Sequence, residues 1–208
     1  QPDDIDEVTR LLASSLPDES ISADWLRETA FRDPDYDPEL SLVALDGGTI
    51  AAYAMGILRS SSDGIRAWIK VFATAEDRRC TGVMSTLFDR IEAVLRRRGV
   101  GTVGIADSAP YYTWSGLDPG YTAAVVFLQS RGFGQTGETL DMVCDLRQSM
   151  WDTTSETERL HGEGVVIRRA TRSDMQPVFS FLREQFPGWL REVATCFRQS
   201  SISLHLAM

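Results

Sequence analysis

Cysteine and histidine are scarce in this 208-residue chain, three of the first and two of the second. Cys80, Cys144 and Cys196 are far apart and odd in number, which argues against a disulfide framework. His161 and His205 lie at no zinc-ligand spacing from them, so the cysteines read as small buried or semi-buried residues. No apolar run approaches the roughly 18 residues of a membrane helix. The opening Gln1-Pro2-Asp3-Asp4 lacks the basic and apolar regions of a secretory signal. Neither a P-loop nor a Gly-x-Ser-x-Gly elbow occurs. Basic side chains are outnumbered 21 to 30, and the resulting charge of −9 repels nucleic-acid phosphates. These absences predict a cytoplasmic protein that needs no metal and engages neither nucleic acid nor membrane. The acidic balance leans slightly towards a cationic partner.

What the chain does have is enough apolar mass to fold, with 43% hydrophobic and 9% aromatic residues. Ile5, Val8, Leu11, Leu12 and Leu16 recur at helical spacing over 4–16. Ser22 is a candidate N-cap for a second helix through Trp25, Leu26 and Phe31, broken by Asp33-Pro34 and Asp37-Pro38. Strands follow at 41–45 and 49–58 around Asp46-Gly47-Gly48, a hairpin signal, and a third at 66–74. The spacing then predicts a helix over 81–98, a strand over 100–106, a helix over 121–131 and a half-buried strand over 140–146. This order is that of an α/β (α+β) layer fold, a central mixed sheet flanked by helices.

Residues 148–164 are polar and irregular and read as a linker. Beyond them the opening recurs. Asp174, Met175, Val178, Phe181 and Leu182 repeat the pattern of Asp4, Ile5, Val8, Leu11 and Leu12. Gly188-Trp189-Leu190 echoes Asp24-Trp25-Leu26, and Cys196-Phe197-Arg198 echoes Ala30-Phe31-Arg32. The expected organisation is one domain over 1–147 and the beginning of a second like it over 165–208, a repeat of domain period. The second copy has a strand at 165–169 that the first lacks, so the sequence reads as a piece of a longer tandem protein.

The segment richest in chemistry runs from an apolar strand into a charged loop and then a helix: Phe72-Ala73-Thr74, then Arg79-Cys80-Thr81-Gly82-Val83-Met84-Ser85. A helix N-terminus presents unpaired N–H groups to an anion, glycine lets a ligand approach the backbone, and arginine adds charge. The stretch Arg79-Cys80-Thr81-Gly82-Val83-Met84 resembles the acetyl-CoA signature of the GNAT superfamily of N-acetyltransferases, Gln/Arg-x-x-Gly-x-Gly/Ala. Arg79 and Gly82 match, and Met84 stands where Gly or Ala is usual. Gly132-Phe133 is similar to the Gly-Phe that follows the family's last helix. The same residues spell Gly-x-Gly-x-x-Gly through Gly137, but they follow a helix and precede a strand, the reverse of a dinucleotide fingerprint.

The resemblance implies a tandem-type GNAT enzyme that uses acetyl-CoA as co-substrate and a primary amine of a small molecule as acceptor. Backbone groups of Phe72, Ala73 and Thr74 would pair with the pantetheine arm. The loop from Arg79 and Cys80 through Thr81, Gly82, Val83, Met84 and Ser85 would cradle the pyrophosphate, with Phe127 and Arg131 flanking the cofactor. The family's usual tyrosine acid is absent, since Leu128 occupies its place. Tyr121, Tyr112 and Asp118 are the candidate catalytic residues, with Tyr121 first. Tyr111 and Asp107 are the neighbouring alternatives. Homodimerisation or pairing of GNAT domains within the chain is the expected assembly. The competing expectation is a degenerate GNAT domain with a structural, dimerisation or acyl-CoA-sensing role.

Overall fold

A computed structural model describes residues 4–61, 64–109, 111, 113–140, 142–145, 147 and 152–208. The chain divides into two compact units, Gln1–Thr139 and Leu140–Met208.

The first unit opens with α1 (Ile5–Ser15), whose apolar stripe buries Ile5, Val8, Leu11 and Leu12. Helix α2 (Ala23–Leu26) starts where Ser22 accepts a hydrogen bond from the Trp25 amide, and it continues as a π-helical turn, Arg27–Phe31. Strands β1 (Ser41–Asp46), β2 (Thr49–Ser61) and β3 (Gly64–Thr74) form an antiparallel meander. Gly47 and Gly48 both have positive φ, +57° and +90°, as a tight hairpin turn with the strands' own twist requires. Helix α3 (Val83–Arg97) crosses back, and β4 (Val103–Ile105) pairs parallel to β3, completing the order β1-β2-β3-β4. Helix α4 (Thr122–Ser130) ends the regular structure of this unit.

One irregularity shapes the sheet. Met55 faces Val71 and Gly56 faces Ile69, which leaves Lys70 as the extra residue of a β-bulge. An inserted residue inverts the in–out alternation. Ala67 and Ile69 therefore pack with Leu87, Phe88 and Ile91 on the α3 side, whereas Val71 and Ala73 pack with Val8, Leu12 and Leu26 on the α1–α2 side. Two hydrophobic layers thus sandwich the sheet.

In the second unit α5 (Thr154–Gly162) precedes β5 (Ile167–Arg169), α6 (Met175–Gln185), α7 (Leu190–Arg198) and β6 (His205–Ala207). Strands β5 and β6 pair antiparallel, and Ala170, Phe197 and Ile202 form a small core with Val178, Phe179 and Val193.

Four local expectations need correction. The strand at 100–106 shrinks to β4, because Ala106 turns the chain at φ +61°. The strand at 140–146 is absent among its described residues, where Leu140, Met142 and Val143 are 93–97% exposed. Alternation alone supplies no partner strand. The supposedly irregular 148–164 contains α5, supported by the Asp152 side chain accepting from the Thr154 amide and by the Arg159–Glu163 pair one turn apart. Cys80 and Cys144 are exposed rather than buried, the first on a turn of positive φ and the second in the stretch where the strand was expected.

Candidate functional site

Strand β4 reaches only as far as Ile69 on β3, with Ala106 N–H donating to the Ile69 carbonyl as the last link. From Lys70 to Thr74 that edge of β3 has no strand partner among the described residues. Beyond Ile69 the Lys70 carbonyl accepts from Thr113 Oγ1 and the Thr74 carbonyl from Ser15 Oγ, side-chain bonds in place of a strand ladder. Gly104 keeps the closed end tight: a Cβ there would lie 2.6 Å from Cδ1 of Trp68.

The open edge ends at Thr74, and one turn of 3-10 helix, Glu76–Arg78, leads into the loop at 79–82. Cys80 has φ +60° and Gly82 has φ +85°, so the backbone coils before entering α3. Gly82 is the N-cap and contributes no capping side chain. The first helical hydrogen bond runs from the Thr86 amide to the Gly82 carbonyl, leaving the N–H groups of Val83, Met84 and Ser85 without helical acceptors. A Cβ on Gly82 would face open space. Arg79 is exposed and makes no ion pair among the described residues, whereas Arg78 is held by Asp46 and Asp77. Arg79, Cys80, Thr81 and Gly82 thus ring an uncapped helix start, an arrangement suited to a phosphate. Met84, the departure from the family signature, is 9% exposed and turned into the core under α3, away from this loop's surface.

The sheet-facing side of the site is aromatic. Phe72 of β3, Phe88 of α3 and Phe127 of α4 meet edge-on or tilted, with centroids 5.1–6.5 Å apart. Arg131 lies over Phe88 and Phe127 and donates to Asp89 and Glu92 of α3. Burial works against its charge, but these two carboxylates outweigh it and hold its pKa above the ordinary value. The structure therefore brings Phe72, Phe127 and Arg131 together and commits the Arg131 guanidinium to α3.

The candidate acids lie at the opposite end of α4. Tyr121 is its N-cap residue and is half-buried. Its hydroxyl is shielded from solvent, and the Asp18 backbone facing it lies outside hydrogen-bond geometry. Burial raises the phenol's pKa, and the negative charges of Glu19, Asp18 and Asp118 raise it further. Asp118 is exposed and accepts from the Gly120 amide at 2.7 Å, a turn-forming role. Tyr112 lies outside the described residues. Trp114 of the same loop packs against Trp25 of α2, centroids 5.2 Å apart.

A buried charge cluster next to the bulge was missed in the sequence. Lys70 Nζ donates to Asp33 Oδ2 at 2.6 Å, and both side chains are 0% exposed. Arg59 grips the same carboxylate at 2.8 and 3.1 Å, reaches Asp35, and donates to the Ser108 carbonyl at 2.9 Å. For Asp33, burial opposes ionisation, but the Arg59 hydrogen bonds and the Lys70 charge prevail and hold its pKa below the ordinary carboxylate value. Burial lowers that of Lys70, with Asp33 opposing the shift. The available signal was a lone lysine, the only one in the chain, inside the apolar run Ala67-Trp68-Ile69-Lys70-Val71-Phe72. Among the described residues no helix is long and apolar enough to cross a membrane, and no group of His, Cys, Asp and Glu is placed to hold a metal ion.

Comparison with solved structures finds the same fold. A GCN5-related glucosamine N-acetyltransferase region of a fungal multi-domain GH3 β-N-acetylglucosaminidase superposes with a TM-score of 0.75 at 18% identity, covering 99% of this chain and 24% of that one. The chain thus spans about a quarter of that protein's length. A transcriptional regulator from Bacillus halodurans C-125 matches with a TM-score of 0.53 at 18% identity, covering 69% of this chain and 95% of its own. A ribosomal-protein-alanine N-acetyltransferase from Brucella melitensis biovar Abortus 2308 gives 0.52 at 13% identity, covering 69% and 96%. No curated protein matches the sequence. The profile of the acetyltransferase (GNAT) family matches residues 5–113, the span that carries the sheet, the open β3 edge and the uncapped start of α3. The chain belongs to the acetyltransferase (GNAT) family.

Proposed function

We propose that the first unit is an acetyl-CoA-dependent N-acetyltransferase acting on a primary amine of a small molecule. The observation that carries this reading is the edge of β3 without a strand partner among the described residues, followed after one 3-10 turn by a helix start with no side-chain cap. An extended pantetheine arm would add to that edge as a strand, along Phe72, Ala73 and Thr74. The pyrophosphate would sit on the 79–85 loop, with Arg79 supplying charge and Cys80, Thr81, Gly82, Val83, Met84 and Ser85 supplying amides. Phe127 would wall the arm from the α4 side, and Arg131, tied to α3, would hold that wall in place.

Chemistry then asks little of the protein. The amine nitrogen attacks the thioester carbonyl, the C–S bond breaks, the departing thiolate takes a proton, and the ammonium product loses one. Tyr121 is the proposed proton donor, since a phenol is protonated at neutral pH and its hydroxyl has no hydrogen-bond partner among the described residues. Asp118 would contribute through the field around Tyr121. The acidic residues Asp18, Glu19 and Asp118 near that phenol suit a cationic acceptor.

The test is thiol release from acetyl-CoA by the whole chain, with acetylated product identified by mass spectrometry. Glucosamine and a peptide beginning with alanine are the first acceptors to try, because structural neighbours carry those names. Turnover on glucosamine and not on the peptide is expected. A second reading has one specific observation in its favour: Leu128, where the family's tyrosine would stand, is 6% exposed in the core. Acetyl-CoA binding without turnover on any amine would select that reading, an acyl-CoA-sensing or structural domain.

For the second unit we propose the beginning of a second GNAT-like domain. Two details support it beyond the sequence echo. Both α1 and α6 lead through a second helix to a strand. Both also stop alike, the Leu16 amide donating to Leu12 and the Phe186 amide to Leu182, at the positions the repeat aligns.

A further inference from the structure

The buried charges beside the bulge are not explained by stability. Lys70, Asp33 and Arg59 are each nine-tenths or more shielded as side chains, and with Asp35 they form a set of two cations and two anions. Such a set recovers its desolvation cost at best, and apolar side chains of similar volume would serve the core equally well. What charges give instead is fixed geometry, because the Arg59 fork and the Lys70 ammonium converge on one carboxylate from set directions.

The partners come from four separate stretches of chain. Asp33 and Asp35 follow α2, Arg59 is on β2, Lys70 is the bulge residue of β3, and Ser108 belongs to the β4–α4 loop. Among the described residues two hydrogen bonds tie that loop to β2 and the bulge. Its Ser108 carbonyl accepts from Arg59 at 2.9 Å, and Thr113 Oγ1 donates to the Lys70 carbonyl at 2.9 Å. Its far end is Tyr121. The choice of residue at the bulge fits this task. The chain has 21 basic side chains and a single lysine, and that lysine sits here. A compact ammonium fits in a buried niche where a planar guanidinium would need room for its fork.

We infer that Lys70 is a positioning residue: its ammonium holds Asp33, the carboxylate gripped by Arg59, Arg59 reaches on to the Ser108 carbonyl, and the Lys70 main-chain carbonyl takes Thr113, a clamp between the β3 bulge and the β4–α4 loop that sets where Tyr121, at the loop's far end, stands relative to the open edge of β3. Its consequence for catalysis rests on the acetyltransferase reading above, whereas the clamp itself does not. The pyrophosphate loop at 79–85 makes no contact with the cluster through any of these bonds, so cofactor affinity and catalytic alignment are separable.

The experiment uses the whole chain with Lys70→Met, Thr113→Val and the double variant Asp33→Asn/Lys70→Met. Thr113→Val cuts one strut and leaves every charge in place, which keeps the test available if Lys70→Met fails to fold. Amide hydrogen exchange over residues 107–121 is expected to quicken by about tenfold or more in Lys70→Met and in Thr113→Val, with α3 still protected. Acetyl-CoA affinity should stay within about threefold while kcat on the accepted amine falls by about tenfold or more. The double variant, which removes one charge of each sign, should regain thermal stability but not loop protection. Unchanged exchange over 107–121 in both single variants would overturn the proposal. So would a double variant that restores both loop protection and kcat, since charge balance alone would then suffice. Absence of acetyl-CoA binding by the unaltered chain would strike the acetyltransferase reading, and loop exchange would still decide on the clamp.

Discussion

Replacing Asp33 with alanine is the sharpest probe of how the first unit is held together. The carboxylate accepts from Lys70 at 2.6 Å and from Arg59 at 2.8 and 3.1 Å, and it is wholly buried. Arg59 would keep Asp35 and the Ser108 carbonyl, but the Lys70 ammonium would lose its carboxylate in a closed interior. Stranding a buried charge in this way costs about 3–5 kcal/mol. A domain of this size has about 5–15 kcal/mol in total, so the variant should be marginal and melt roughly 6–20 °C lower. Urea unfolding at pH 7, followed by tryptophan emission, measures the change, with Asp24→Ala as the control. Asp24 pairs with Arg27 on the surface, 93% exposed, and its loss should leave the midpoint where it was. A loss under about 1 kcal/mol for Asp33→Ala would mean that the Lys70 charge is not stranded in the interior. The pH dependence has a definite sign. Because the folded pKa of Asp33 lies below its unfolded value, its contribution is fully present above about pH 4 and is lost as pH falls through the folded value. Wild type should therefore lose ground to Asp33→Asn only on the acid side of that range.

Two other perturbations test neighbouring parts of the site. Phe88→Ala removes a fully buried ring that touches Phe72, Phe127, Phe133 and Arg131, and should cost about 3–5 kcal/mol in the same urea assay. Tyr121→Phe deletes a shielded hydroxyl that has no hydrogen-bond partner, so the melting temperature should hold while kcat falls by about 10²-fold. Equal losses in both quantities would make Tyr121 a structural residue.

Much of the first unit could be read from residue pattern because its signals are local. Asp46-Gly47-Gly48 specifies a turn by backbone freedom, Ser22 caps a helix through its own hydroxyl, and the apolar stripe of α3 lies at fixed spacing. The loop at 79–82 was legible for the same reason, since a helix start and its glycine are contiguous. The buried cluster was not. Asp33, Arg59, Lys70 and Ser108 are far apart along the chain, and each charge by itself looks like a solvated one. Nor could alternation at the sheet reveal the bulge, because Ile69 and Val71 share a parity and yet face opposite layers. Met84 is the converse case. Its letter breaks the family signature, but its side chain points into the core and leaves the amide side of the loop open. The alternating stretch at 140–146 promised a strand, and pairing depends on a partner that no local pattern encodes.

Isothermal titration asks most directly whether the open edge of β3 and the start of α3 bind acetyl-CoA as proposed. Acetyl-CoA titrated into the whole chain should bind with a micromolar dissociation constant, about −7 to −8 kcal/mol. Gly82→Glu should abolish the heat, because its carboxylate would project beside the phosphates. Gly82→Ala, which strains the same φ of +85° without adding charge, should weaken binding only modestly. No binding by the unaltered chain, or equal binding by Gly82→Glu, would contradict the account.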